Sequence, residues 1–225
     1  MARSTPEPES GAAVLQREIL RWNQQINLVS RVRTRERVSR LIHQCATGWE
    51  LVAAALAGDD WLPGATYFDL GSGSGLPGLV WADSRQRLGH AGPSVLVEPR
   101  DKRAWFLRRT ARAMGLDRVT VWPVRWGEQV EELHAPDALV SLKALRLEDH
   151  EVLANFPRPG GGAGETCPRL VAIVRFLDPV RRSREELEAM YAVADRPDDL
   201  GWRRTGIETL GDGDPWLLVT RYRSD

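Results

Sequence analysis

Thr66-Tyr67-Phe68-Asp69-Leu70-Gly71-Ser72-Gly73-Ser74-Gly75-Leu76-Pro77-Gly78 is the stretch that decides the fold. Thr66 to Leu70 is a short β-prone run, and it passes without a spacer into a loop with glycine at 71, 73, 75 and 78. A strand that empties into such a loop reads as the strand–turn–helix unit of a nucleotide-binding α/β sheet. Glycine permits the tight turn and lets a ligand approach the main chain closely. The spacing Gly73-x-Gly75-x-x-Gly78 also fits the dinucleotide fingerprint, a match that is weak by itself. Two cofactor classes therefore stand open, NAD and S-adenosylmethionine (SAM).

Asp69 separates them. A pyrophosphate settles on amide N–H groups at a helix N-terminus, and a carboxylate two residues before the first glycine would repel it. SAM has no phosphate and carries a cationic amino group and a sulfonium, which suit an acid. The competing assignment for Asp69 is a helix N-cap or turn residue. Glu98 ends the next strand, where an acid accepts the ribose hydroxyls of either cofactor; its competing assignment is a solvated strand end. Asp69, Gly71, Ser72, Gly73, Gly75, Leu76, Pro77 and Glu98 form the expected donor site. Arg125 joins them, and Trp126 either shields the adenine edge or packs in the core.

Outward from this loop the strand–helix rhythm repeats. Strands are expected at Ser94–Glu98, Val119–Val124, Asp137–Ser141, Leu170–Phe176 and Trp216–Tyr222. Lys102 to Met114 reads as an amphipathic helix closed by Gly115, Gly160 to Gly164 as a loop, and Arg184 to Ala194 as an acidic helix. Strands alternating with helices imply an α/β, Rossmann-like, mostly parallel sheet covered on both faces. Upstream, apolar residues at helical spacing predict helices from Ala12 to about Asn27 and from Arg35 to about Leu56. Gly58 to Gly64 is a break. The expected organisation is a disordered tail over 1–11, a helical extension over 12–58 and a core domain over 59–225.

The 225 residues suffice for one large domain with an appended segment. No apolar run approaches the roughly 18 residues of a membrane span, and the first ten residues lack the apolar region of a secretory signal. Cys45 and Cys167, the only two cysteines, have no metal-ligand spacing and read as reduced thiols of a cytoplasmic protein. Lys and Arg total 31 and Asp and Glu total 31, yet the charges are segregated. Arginines crowd residues 31–40, basic residues crowd 100–112, and acids gather late in the chain.

In three ordered patches the chain resembles the bacterial 16S ribosomal RNA guanine-N7 methyltransferase family, also called the glucose-inhibited division protein B family. The first is Trp22-Asn23-Gln24-Gln25-Ile26-Asn27-Leu28-Val29-Ser30, and the second is the loop with its Gly75-Leu76-Pro77-Gly78 ending. The third is Lys102-Arg103-x-x-Phe106-Leu107. The resemblance implies a SAM-dependent methyltransferase acting on ribosomal RNA or the small ribosomal subunit as a monomer, with no membrane and no metal. Arg31, Arg33, Arg40, Arg100, Lys102, Arg103 and Lys143 are then candidates for RNA contact, against the alternative of a solvated charged face. Trp22 and Asn27 are expected to lock the first helix onto the core, and the resemblance leaves room for a role near the acceptor.

Departures from the family concentrate on the acceptor side. Where it reads Arg-His-Ile-x-Asp-Ser, this chain has Arg40-Leu41-Ile42-His43-Gln44-Cys45. Ser141-Leu142-Lys143 replaces Ser-Arg-Ala, and Val174, with Arg175 beside it, replaces a lysine. Lys143 and Arg175 are candidates to restore positive charge one residue along, although neighbouring strand positions face opposite ways. A different acceptor, or a catalytically silent RNA-binding scaffold, remains open on these residues. Guanine N7 carries no proton, so its methylation requires alignment and no general base. The four histidines correspondingly show no triad or metal spacing.

Overall fold

Seven strands, β1 (Thr66–Leu70), β2 (Ser94–Val97), β3 (Val119–Trp122), β4 (Ala138–Leu142), β5 (Leu170–Phe176), β6 (Trp202–Leu210) and β7 (Leu217–Ser224), form one sheet. Its order is β3-β2-β1-β4-β5-β7-β6. The computed structural model describes residues 9–58, 60–128, 135–157, 167–177, 200–211 and 214–224. Within them β1 to β5 run parallel, while β7 is antiparallel to both β5 and β6. β1, β2 and β4 are buried along their whole length, as interior parallel strands with both faces covered must be.

One face is covered by α1 (Gly11–Ile26), α2 (Thr34–Ala55), α3 (Gly78–Arg87) and α4 (Asp101–Ala113). Leu15, Ile19, Val38 and Trp49 from the first two helices share a single apolar cluster with Leu79, Trp81, Phe106 and Leu107 from the next two. Local chemistry sets the ends of α1. The Ser10 hydroxyl accepts from the Ala13 N–H at 3.3 Å, and Asn27 closes the helix at φ 57°, a conformation asparagine tolerates. Trp22 and Asn27 do tie α1 to the core: the Trp22 ring meets Trp105 of α4 edge-on, and the Arg103 guanidinium donates to the Asn27 carbonyl at 2.9 Å. The Trp81 indole N–H donates to the Cys45 carbonyl at 2.8 Å, clamping α3 to α2.

The opposite face buries Phe68, Val140, Ile173 and Trp202 with Phe156, beneath the short α5 (Asp149–Leu153). Asp149 is the polar centre of this side. Its Oδ1 accepts from Arg175 Nε at 3.0 Å and also from Nη2; its Oδ2 accepts from Thr220 Oγ1 at 2.8 Å and Tyr222 Oη at 2.5 Å. One carboxylate thus joins α5, β5 and β7.

The expected strands are present with ends shifted by a residue or two. β6 and the short α5 are elements the sequence did not announce. Arg203, Arg204 and Glu208 interrupt β6, Gly206 lies at a register shift opposite β7, and as an edge strand it shows no clean alternation. The expected loop at Gly160–Gly164 and the expected helix at Arg184–Ala194 lie outside the described residues, as do residues 1–8 of the tail.

Replacing Asp149 with alanine leaves the Arg175 guanidinium, 13% exposed, without its carboxylate, and a loss of about 3–5 kcal/mol of stability is expected. Urea unfolding of Asp149→Ala against the native chain measures it.

Candidate active site

The strand order reverses between β1 and β4, and in open α/β sheets ligands bind beyond the carboxyl ends of the strands at such a switch point. A cavity of about 760 Å³ lies there. Its lining comes from the segments that follow β1 (Gly71 to Ser74, Leu76), β2 (Glu98 to Arg100), β3 (Pro123 to Arg125) and β4 (Lys143 to Leu145). Leu28 and Val29, after α1, Leu41, on α2, Arg103, on α4, and Glu128 complete it.

The glycine loop is held from within. The Gly71 and Ser72 N–H groups both donate to the Val97 carbonyl, at 2.8 and 3.1 Å, and the Gly75 N–H donates to the Ser72 carbonyl at 2.7 Å. The Gly73 N–H donates to Glu98 Oε2 at 2.9 Å, while Glu98 Oε1 accepts from the Arg100 N–H at 3.0 Å. These amides are engaged and do not form the open cradle a pyrophosphate needs. Glu98 is 2% exposed, so it is no solvated strand end. Each of its oxygens keeps a lone pair for a further donor.

Asp69 sits behind the loop. Its Oδ1 accepts from the Ser141 hydroxyl at 2.6 Å, which leaves the Tyr67 hydroxyl to donate to Ser141 Oγ at 2.9 Å. Its Oδ2 abuts the first residue of α3 so tightly that a Cβ on Gly78 would come within 2.4 Å of it. Negative charge is favoured at a helix N-terminus, and this carboxylate occupies the place an anionic ligand would take. Burial pushes its pKa up to about 6, against the opposing hydrogen bond from Ser141 and the charge of Lys143.

The expected donor residues are therefore divided. Gly71, Ser72, Gly73, Leu76, Glu98 and Arg125 line the cavity, whereas Asp69, Gly75, Pro77 and Trp126 do not. Asp69 lies beneath the loop against the first turn of α3, whose N-cap is Pro77 and has no side-chain capping bond. Gly75 has φ 81°, and a Cβ there would lie 2.5 Å from Leu79, so its glycine answers packing against α3. Pro77 is buried at the start of that helix. Trp126 packs between Phe68 and Phe156, at ring separations of 5.6 and 5.5 Å, and its indole N–H donates to the Val152 carbonyl. Trp126 is half-buried and packs against the core cluster of this face.

Among the basic candidates, Arg100, Arg103 and Lys143 reach the cavity. Lys102 lines a neighbouring hollow. Arg31, Arg33 and Arg40 are exposed beyond its lining; the Arg31 guanidinium donates to the Gln24 carbonyl at 3.0 Å. Of the two candidates to restore acceptor-side charge, only Lys143 is at the site, because Arg175 is bound to Asp149. The substituted positions also separate. Leu41 lines the cavity. Gln44 bonds Asp214, Leu142 and Val174 are buried core residues, and burial pushes the Cys45 thiol up to about 12. Leu28, Val29, Pro123, Val124, Glu128 and Leu145 line the cavity without having been singled out; the Trp22–Ser30 patch carried the only signal for the first two.

An open sheet of this order, with an acid-tethered glycine loop at its switch point, defines the Rossmann-like methyltransferase class. The fold matches that of the magnesium protoporphyrin IX methyltransferase from Synechocystis, solved with bound SAM, at TM-score 0.50 and 12% identity, covering 98% of this chain and 100% of that one. The chain matches the GidB, or rRNA small subunit methyltransferase G, family over residues 10–159 and belongs to that family. Ribosomal RNA small subunit methyltransferase G of Cereibacter sphaeroides is 38% identical over 56% of this chain and 55% of its own length. That of Xanthomonas campestris pv. campestris strain 8004 is 32% identical over 89% and 81%. Among the described residues no group of three or more His, Cys, Asp or Glu forms a metal site, and no helix is long and apolar enough to cross a membrane.

Because the folded-state pKa of Asp69 lies above the ordinary aspartate value of 3.8, the native chain binds its proton more tightly than the unfolded chain. This group therefore adds stability as pH falls from 7 through about 6 towards 4, and that contribution is lost as pH rises again. Asp69→Asn should lack this part of the pH dependence. Unfolding free energies of both proteins at pH 7 and 5 test it, and parallel profiles would contradict the buried-acid assignment.

Proposed function

We propose that this chain transfers the methyl group of SAM to N7 of a guanine in the ribosomal RNA of the small subunit. The observation that carries the reading is the cavity itself, with a carboxylate-tethered glycine loop on one side and Arg100, Arg103, Arg125 and Lys143 around it. The donor, when bound, supplies a methyl group already activated by its sulfonium. Glu98 would hold the ribose hydroxyls through its remaining lone pairs, and Gly71 and Gly73 would let the ligand lie against the main chain. Engaged loop amides, with a carboxylate already standing at the N-terminus of α3, oppose a dinucleotide.

On the acceptor side the chain's work is to bind and align. Arg100, Arg103 and Lys143 attract phosphates and place the RNA, and Leu28, Val29 and Leu41 give the base an apolar wall. N7 presents an in-plane lone pair with no proton to remove, so positioning at near-attack distance is the main contribution required. Action as a monomer belongs to the same reading. Cytoplasmic action follows from the same reading, since that is where the substrate is assembled. Leu41, where the family resemblance has histidine, favours one second reading, methylation of another acceptor through the same donor site.

Glu98→Ala should weaken SAM binding by about 10- to 100-fold, the effect of one charge-assisted hydrogen bond, in calorimetric titration. Incubation with small-subunit ribosomal RNA and methyl-labelled SAM, followed by nuclease digestion, should place the label in 7-methylguanosine. Label in a different nucleoside would replace the acceptor assignment. Donor binding without transfer to any ribosomal RNA would point to another acceptor, and absence of donor binding would leave the scaffold reading.

A further inference from the structure

Trp105 lies in the most basic helix among the described residues and is 45% exposed. The residues three and four positions away on the helix, and hence on its face, are Asp101, Lys102, Arg108 and Arg109, so no apolar stripe explains an indole there. Its ring meets Trp22 of α1 at 4.9 Å between centroids and 81° between planes. The Arg109 guanidinium stands 5.6 Å from the Trp22 ring and 5.9 Å from that of Trp105, and Arg21 stands 5.4 Å from Trp22. This pair of rings borders a hollow of about 400 Å³ that Lys102 and Asp101 also line.

The hollow does not stand alone. A second one, lined by Ile26, Asn27 and the run from Arg100 to Arg103, shares Ile26, Asp101 and Lys102 with the first. It shares Arg100 and Arg103 with the active-site cavity. Three concavities linked by common walls thus lead from the aromatic shelf to the reaction centre. Arg21, Arg100, Lys102, Arg103 and Arg109 along this track outnumber the acids Asp101 and Glu18, the latter 3.5 Å from Arg109. Asp101 lies in the first turn of α4, where the helix dipole favours a carboxylate, and it suits an exocyclic amino group of a base. Lys102 makes no hydrogen bond or ion pair among the described residues.

We propose that this shelf is a second RNA subsite, in which an unpaired base near the acceptor nucleotide stacks on Trp105 while Lys102 and Arg100 hold the adjoining phosphates. Stacking on an aromatic face with cations beside it is how proteins hold single-stranded RNA, because every base offers a π-face. The charge excess selects RNA over an apolar protein segment as the occupant. The inference rests on the ribosomal RNA reading of the active site and adds to it a requirement for an unpaired nucleotide.

Fluorescence anisotropy of an end-labelled RNA hexamer, single-stranded or annealed to its complement, tests the proposal with the full chain at low salt. Trp105→Ala should bind the single strand about five- to one-hundred-fold more weakly and the duplex as before, with SAM affinity unchanged in calorimetry. Trp105→Phe should retain most of the single-strand affinity. Lys102→Ala, which removes no packed ring, should weaken both RNAs and lessen the salt dependence of binding. Native-like single-strand binding by Trp105→Ala would overturn the subsite, as would equal losses on both RNAs. Binding of neither RNA by the native chain would instead overturn the RNA reading of the active site. Weaker association of Trp105→Ala with intact small subunits, with neither RNA affected, would make the shelf a protein-docking face and overturn its assignment to RNA.

Discussion

A carboxylate buried between the end of β1 and the start of α3 is the constraint on which the site depends. Asp69 bonds Ser141 of β4 through one oxygen and lies against Gly78 through the other. It therefore fixes the switch point of the sheet and the entry of α3 in one contact. The glycine loop spans the distance between them, and its course follows from where those two ends are held. An isolated carboxylate in such surroundings would be costly. The hydroxyl of Ser141 and the dipole of α3 offset enough of that cost for an acid to remain, with its proton affinity raised.

Glu98 plays the complementary part at the end of β2. By accepting from Gly73 on one side and Arg100 on the other, it joins the loop to the beginning of α4. Since Arg103 of that helix reaches the Asn27 carbonyl, a single chain of hydrogen bonds connects the donor loop, the basic rim and the end of α1. The two acids that identify the site are thus of different kinds, one supporting the loop from behind and one facing the cavity.

How far this was legible in the sequence depends on the range of the interactions involved. The strands, the two N-terminal helices and the glycine loop are written in local patterns, and Glu98 is marked by its place at a strand end. Trp126 and Asp69 were harder, because a residue beside a ligand site and one just beneath it share the same sequence position relative to the strand. Only the direction of the side chain separates them. Lys143 and Arg175 made the same point at longer range, since Arg175 is taken up by Asp149, more than twenty residues away in the chain, while Lys143 lines the cavity. β6 escaped notice because an edge strand with charges on both faces has no periodicity to read.

The loop that shapes the donor side is held mostly by carbonyl oxygens, those of Val97, Ser72 and Asp69, which no substitution can remove. The opposite wall is built from side chains such as Leu41 and Lys143, set on different elements and bound to no common partner. Drift therefore falls unequally on the two halves of the cavity: a descendant can exchange what it accepts while keeping what it donates. Leu41 and Lys143 both stand on that freer wall.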